Sequence, residues 1–209
     1  MRAHPVLARP SRSYAVAKRA FDITLCLLAM PMVLPIALGC ALAIRLESPG
    51  PITFTQMRTG QHGVRFPMFK FRTMVQNAEE LKASLQHLNI LPPPDFKIPD
   101  DPRITRVGSF MRKTSLDEVP QLLNVLRGEM SIVGPRPTSF AASTYSLWHS
   151  ERLEVVPGIT GLWQVKGRGT MTFDERLRLD IEYIDKRSVW LDVKLIVLTA
   201  MAVFRGSGA

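Results

Sequence analysis

Between Arg112 and Pro137 the chain reads RKTSLDEVPQLLNVLRGEMSIVGPRP, and this stretch holds the residues best suited to chemistry. Asp117 and Glu118 are adjacent carboxylates, preceded by Arg112 and Lys113 and followed, past a short helix, by the stiffened loop Pro135-Arg136-Pro137, which presents one guanidinium. Leu122, Leu123 and Leu126 recur at three- and four-residue steps, so the acids introduce a helix with one buried face. An acid pair at a helix start is commonly a cap and nothing more. It becomes a catalytic candidate because a helix N-terminus flanked by cations suits anions and phosphate groups. Two starts fit this helix. Ser115 with Glu118 forms a capping-box pattern, but Pro120 then falls beyond the first turn. With Asp117 as the cap, Pro120 sits inside the first turn, and we favour that start. Arg127-Gly128 supplies the stop, and Ser131-Ile132-Val133 is a short strand candidate.

The chain that must position these groups has 209 residues, enough for one domain with a real core. Its formal net charge of +9 and pI of about 10.1 point to an anionic partner: nucleic acid, an anionic membrane surface or a phosphorylated substrate. Aromatic residues make up only 8% and no nucleic-acid-binding motif appears, so nucleic acid is set aside. Cys26 and Cys40 lie in one apolar stretch and form neither a disulfide framework nor a metal-site pattern.

Residues 1–17 form a basic arm expected to be flexible, suited to an anionic leaflet or simply solvated. From Ile23 to Ile44 the chain carries no charge over 22 residues, long enough to span a bilayer. Pro31 and Pro35 interrupt this run, and both flanks are basic, with Lys18 and Arg19 before it and Arg45, Arg58 and Arg65 after it. Positive flanks belong on the cytoplasmic side. A helix over 18–47 broken near Pro35 and re-entering the same face satisfies both flanks. A plain span and a secretory signal ending at Ala41-Leu42-Ala43 are the alternatives. Residues 48–209 are then a cytoplasmic domain. Within it, Ile52–Gln56 alternates as a strand, Met57–Arg65 reads as a hairpin loop and Phe66–Arg72 as the returning strand, whose Lys70 suits a phosphate. Glu79–Leu88 is a modest helix, and Leu91–Pro99 an extended proline-rich connector. Residues 138–155 are a loose helical pattern, mostly packing. Pro157–Gly161 is a glycine-punctuated turn before a strand over Leu162–Val165, and Lys166 to Gly169 adds cations. Thr172 with Glu175 caps a further helix. Val189–Phe204 is apolar and reads equally as a core or an interfacial helix. The expected fold class is α+β: a monotopic membrane protein with an N-terminal proline-broken re-entrant helix, a small β-hairpin or sheet, and surrounding amphipathic helices.

LDEVPQLLNVLRGEMSIVGPRP strongly resembles the bacterial sugar transferase family, the monotopic phosphoglycosyl transferases. So do Lys18-Arg19 with Phe21-Asp22, Ser48-Pro49-Gly50-Pro51, Lys70-Phe71-Arg72-Thr73-Met74, Pro157-Gly158-Ile159-Thr160-Gly161, and Leu179-Asp180 with Tyr183. The resemblance runs from residue 18 to about 205. One departure is Leu34, where the family often has serine before the proline of the re-entrant helix.

The resemblance implies Asp117 as a nucleophile toward the β-phosphate of a UDP-sugar, with Glu118 as its partner. It implies a sugar-1-phosphate, a hexose phosphate by the look of the C-terminal motifs, passed to a polyprenyl (undecaprenyl) phosphate with release of UMP. Exopolysaccharide assembly would begin with this step, at the cytoplasmic face of the bacterial inner membrane. Mg²⁺ is the expected cofactor, held by Asp117, Glu118 or both. Lys70, Arg112, Arg136, Gln164 and Asp180 are the expected substrate-binding residues, with Tyr183 a weaker candidate. A homodimer is compatible with the sequence. Without transmembrane helices ahead of this region, the chain resembles the minimal catalytic form. A non-enzymatic membrane adaptor for acidic partners, and a direct transfer without a covalent intermediate, are the rivals.

Overall fold

A single helix, α1 (Arg12–Glu47), carries the whole apolar run, and it is the one helix among the described residues long and apolar enough to cross a membrane. The computed structural model describes residues 12–90, 96–141, 148–167 and 171–204. Most of the basic arm, the first part of the proline-rich connector, Tyr145, Leu147, Arg168, Gly169 and the residues after Phe204 lie outside these. Helix α1 is continuous through Pro31 and Pro35, so the expected proline break is not a break in the helix. Its buried positions are Asp22, Cys26, Cys40 and Ile44, two near each end. Cys26 packs with Phe66, Met68, Val125 and Met130, while Cys40 and Ile44 pack with Phe71 and Met111. Both ends therefore stand on one body. Between them Leu27, Leu28, Met32, Leu34 and Leu38 are exposed. At 1.5 Å per residue, that unenclosed middle is about 20 Å long.

The body is α+β, as expected, with two separate small sheets. Strands β1 (Thr53–Thr59) and β2 (Arg65–Phe71) form an antiparallel hairpin in which Phe54 faces Lys70. Side chains alternate along a strand, so Lys70 shares a face with the buried Phe66 and Met68. Its ammonium stands where that apolar face ends. Helix α2 (Arg106–Lys113), capped by the Thr105 hydroxyl, leads to α3 (Gln121–Arg127). Gly128 ends α3 at φ 84°, the left-handed stop its sequence position called for. The second sheet is parallel, β3 (Ser131–Val133) beside β4 (Gly158–Thr160). Here Gly134 and Gly158 touch: a Cβ on Gly158 would lie 2.1 Å from the Gly134 nitrogen, so no side chain fits. Helices α4 (Leu162–Lys166), α5 (Phe173–Lys186) and α6 (Val189–Phe204) complete the body. Val133, Leu162, Tyr183, Ile184 and Leu195 form the core they share.

Four expectations change. Leu162–Val165 is helical, not a strand, because the strand is spent on Gly158–Thr160 and Gly161 turns the chain. Glu79–Leu88 is two short 3₁₀ turns rather than one helix. The hairpin loop is shorter than Met57–Arg65, because the strands run on to Thr59 and from Arg65. Helix α6 is neither wholly core nor wholly peripheral: Asp192 and Leu195 are buried, while Trp190, Val197 and Met201 are exposed. The Thr172–Glu175 capping box is present in both directions.

Candidate active site

The acid pair does not cap α3. Ser115 takes a left-handed conformation at φ 58°, and the chain then forms a 3₁₀ turn over Leu116–Glu118 before Pro120 opens α3. Neither the Ser115 nor the Asp117 side chain caps a helix. A non-glycine residue in that region costs about 1–2 kcal/mol, and such strain collects at functional sites. The turn sets Asp117 and Glu118 against the end of β2 rather than along the helix axis.

There Lys70 Nζ lies 2.9 Å from Glu118 Oε1 and 3.6 Å from Asp117 Oδ2. Arg136 closes a two-pronged fork on Glu118, one terminal nitrogen to Oε1 and the other 3.3 Å from Oε2. Arg136 also reaches the Ile159 carbonyl at 3.4 Å, and Gln164 Nε2 donates to the same carbonyl at 3.2 Å. Arg112 is held by a hydrogen bond from Nε to Thr73 Oγ1 at 2.9 Å, and its charge acts on Asp117. Lys70, Arg112, Asp117, Glu118 and Arg136 thus come together, with Gln164 at their edge.

Burial works against the charge on both acids, with opposite outcomes. For Glu118, Arg136 and Lys70 together outweigh burial and hold the carboxyl well below its usual range. For Asp117 burial prevails, the Lys70 charge only partly offsets it, and the carboxyl is pushed up. Asp117 accepts no hydrogen bond among the described residues, and its one close cation is the 3.6 Å contact with Lys70. Glu118 therefore engages the local cations, and Asp117 is left desolvated and weakly partnered. Among the described residues no three acidic, cysteine or histidine side chains gather as a metal cage. Two adjacent carboxylates are a donor set that fits Mg²⁺, which usually takes one or two protein carboxylates with the rest of its shell from substrate phosphates and water.

The supporting residues were not legible as such. Asn124, fully buried, accepts from the Phe69 N–H at 3.0 Å and donates to the Pro67 carbonyl at 2.7 Å. It clips β2, and hence Lys70, to the helix that follows the acids. Arg72 donates to the Pro49 and Ser48 carbonyls and to Ser48 Oγ at 2.6–2.9 Å, tying the turn after α1 to the same strand.

Asp180 and Tyr183 are not brought to the acids. Asp180, 1% exposed, lies 2.8 Å from the buried Arg152, and burial pushes its carboxyl up to about 7 against the pull of that guanidinium. Tyr183 donates to Asp192 at 2.8 Å, at the foot of α1. There Lys18 sits between Asp22 at 3.1 Å and Asp192 at 2.8 Å, and Asp22 accepts from Ser131 Oγ at 2.7 Å. Arg19 caps the carbonyls of Val125 and Leu126 at the end of α3. A cavity of about 160 Å³ opens beside this cluster, lined by Tyr14, Lys18, Glu154 and Arg187 among others, and none of the acid-pair residues lines it.

The family model described as bacterial sugar transferase matches residues 13–206. The galactosyl transferase CpsE of Streptococcus agalactiae is 44% identical over 94% of this chain and 44% of its own length. The undecaprenyl-phosphate galactose phosphotransferase of Salmonella typhimurium is 41% identical over 95% of this chain and 42% of its own. The chain thus spans less than half the length of these relatives. The uncharacterized sugar transferase EpsL of Bacillus subtilis is 37% identical over 92% of this chain and 90% of its own length.

Proposed function

The chain belongs to the bacterial sugar transferase family, and from that premise we propose that it transfers a sugar-1-phosphate from a UDP-sugar to a membrane polyprenyl phosphate. The observation that carries this reading is the asymmetry of the acid pair: Glu118 holds Lys70 and Arg136, and Asp117 accepts no hydrogen bond among the described residues. A carboxylate that is buried, weakly solvated and flanked by cations is a competent nucleophile toward a phosphate ester.

Asp117 attacks the β-phosphorus of the UDP-sugar. The bond from that phosphorus to the bridging oxygen breaks, UMP leaves, and the sugar phosphate stays on the carboxylate as an acyl phosphate. An oxygen of the polyprenyl phosphate then attacks the same phosphorus, the acyl–phosphate bond breaks, and the Asp117 carboxylate is restored. The product is a polyprenyl diphosphate-sugar. Lys70, Arg112 and Arg136 hold phosphate oxygens, and Gln164 lines the nucleotide side. Mg²⁺, held by Asp117, Glu118 or both, supplies charge neutralisation on the phosphates when bound.

Helix α1 suits the acceptor. Its two ends stand on the catalytic body, and its exposed apolar middle is suited to lie against one leaflet, keeping the body on the cytoplasmic face, where nucleotide sugars are made. Relatives named for galactose transfer favour a hexose, and the reaction would then open exopolysaccharide assembly.

UMP release tests the reading. Full-length protein in detergent, given polyprenyl phosphate, Mg²⁺ and UDP-galactose, UDP-glucose or a UDP-N-acetylhexosamine in turn, releases UMP with one donor, and Asp117→Asn does not. Ping-pong kinetics support the covalent route, and sequential kinetics replace it with direct transfer. No release from folded protein with any donor would remove the transferase reading.

A further inference from the structure

Arg136 stands between Pro135 and Pro137, neither of which has a backbone N–H. This loop can be gripped from outside chiefly by its carbonyls, and two grips are present. The Gly158 N–H donates to the Pro135 carbonyl at 2.9 Å, and the Arg152 guanidinium donates to the Arg136 carbonyl. Arg152 belongs to a 3₁₀ turn between the two strands of the parallel sheet, and its charge is met by Asp180, from the interior of α5, at 2.8 Å. Both are buried, at 6% and 1% exposure. A buried ion pair is weak evidence for stability, since apolar residues of similar shape often do as well. Its value is more readily found in what it holds in place.

We propose that Asp180 and Arg152 form a positioning strut for Arg136. Asp180 orients the Arg152 guanidinium, Arg152 fixes the Arg136 carbonyl, and the Arg136 side chain, leaving from the same residue, is thereby aimed at Glu118. Neither strut residue touches the acid pair or the reacting phosphates. With the strut gone the Arg136 fork leaves Glu118, Lys70 is drawn further onto Glu118, and the cation balance around Asp117 changes. Asp180 thus serves the site through Arg152 and Arg136 rather than by contact with substrate.

The inference rests on the transferase reading above, and a double-mutant cycle on UMP release by the full-length protein tests it. Arg152→Met is expected to lower kcat by roughly 10- to 100-fold, the scale on which outer partners of a site are felt. Arg136→Ala lowers it at least as much, and the double variant is no slower than Arg136→Ala alone, because residues acting through one another are non-additive. Arg152→Lys, which keeps a charge for Asp180 and a donor for the carbonyl, recovers most of the rate. An additive cycle, or a wild-type rate in Arg152→Met, overturns the strut. If Arg152→Met fails to fold, Asp180→Asn takes its place in the cycle, with the same expected non-additivity. If the wild-type protein releases no UMP, the transferase reading fails and the strut is judged on a crystal structure of Arg152→Met: Arg136 displaced from Glu118 upholds it, and Arg136 still seated there overturns it.

Discussion

Two clusters in this molecule share one motif, a lysine between two carboxylates, and differ in how completely it is closed. At the foot of α1, Lys18 bridges Asp22 and Asp192 at 3.1 and 2.8 Å, and the remaining oxygens are taken by Ser131, Ile132 and Tyr183. At the acid pair, Lys70 bridges Glu118 and Asp117 unequally, at 2.9 and 3.6 Å, and Arg136 adds itself to Glu118 only. The first is a fastener, because every charged group is spent on another. The second retains one carboxylate that is only partly matched among the described residues, by the 3.6 Å contact with Lys70. Residue type does not separate them, and neither does their presence in family motifs. The count of remaining partners does.

The contrast can be broken by substitution. Asp117→Asn is expected to lower UMP release by roughly 10⁴-fold or more, as loss of a nucleophile does. The same change leaves the melting temperature unchanged or raises it, since burial disfavours the ionised acid it replaces. Lys18→Met does the reverse. Leaving Asp22 and Asp192 buried and unpaired costs about 3–5 kcal/mol, read as a lower denaturation midpoint, while kcat of the folded fraction is retained.

Acid separates the clusters further. Asp117 has a raised pKa, so the active, ionised form is lost as pH falls while still above the usual aspartate value of 3.8. Glu118 has a depressed pKa, so its contribution to stability is full above 4.5 and is lost only as pH falls from there toward its folded value. A pH–rate profile should therefore collapse at higher pH than the acid loss of melting temperature that Glu118→Gln removes; coincident midpoints would contradict the assignment. The smallest effect belongs to Ser131→Ala, which removes one neutral-donor bond to Asp22. It should cost about 1–2 kcal/mol and leave the kinetics untouched.

How much of this was legible in the chain depended on range. The acid pair, Lys70, Arg112 and Arg136 could be singled out because each is a charged residue in a locally distinctive setting. The Thr172–Glu175 box and the Gly128 stop were readable for the same reason: their physics is complete within a few residues. Ser115 was not, because serine carries no mark of a left-handed conformation, and that one residue converts an expected helix cap into a 3₁₀ turn. Leu162–Val165 reads as a strand after a glycine-punctuated turn, yet β4 ends at Thr160 and Leu162–Lys166 coils instead. Asn124 and Arg152 were hidden for a different reason. Each acts on a backbone atom far away in sequence, Asn124 on β2 and Arg152 on the Arg136 carbonyl, and no local pattern announces such a partner.

Helix α1 is seated at Cys26 and again at Cys40 and Ile44, on sockets belonging to the same body. Successive helical residues are rotated by about 100°, so the two seats fix the twist of the intervening segment as well as its position. The apolar middle can neither spin nor slide without unseating one end. Inserting a single residue between Leu27 and Gly39 would swing Cys40 out of line with Met111 while Cys26 stayed in place. Helical phase, more than hydrophobicity, is what this segment has to conserve.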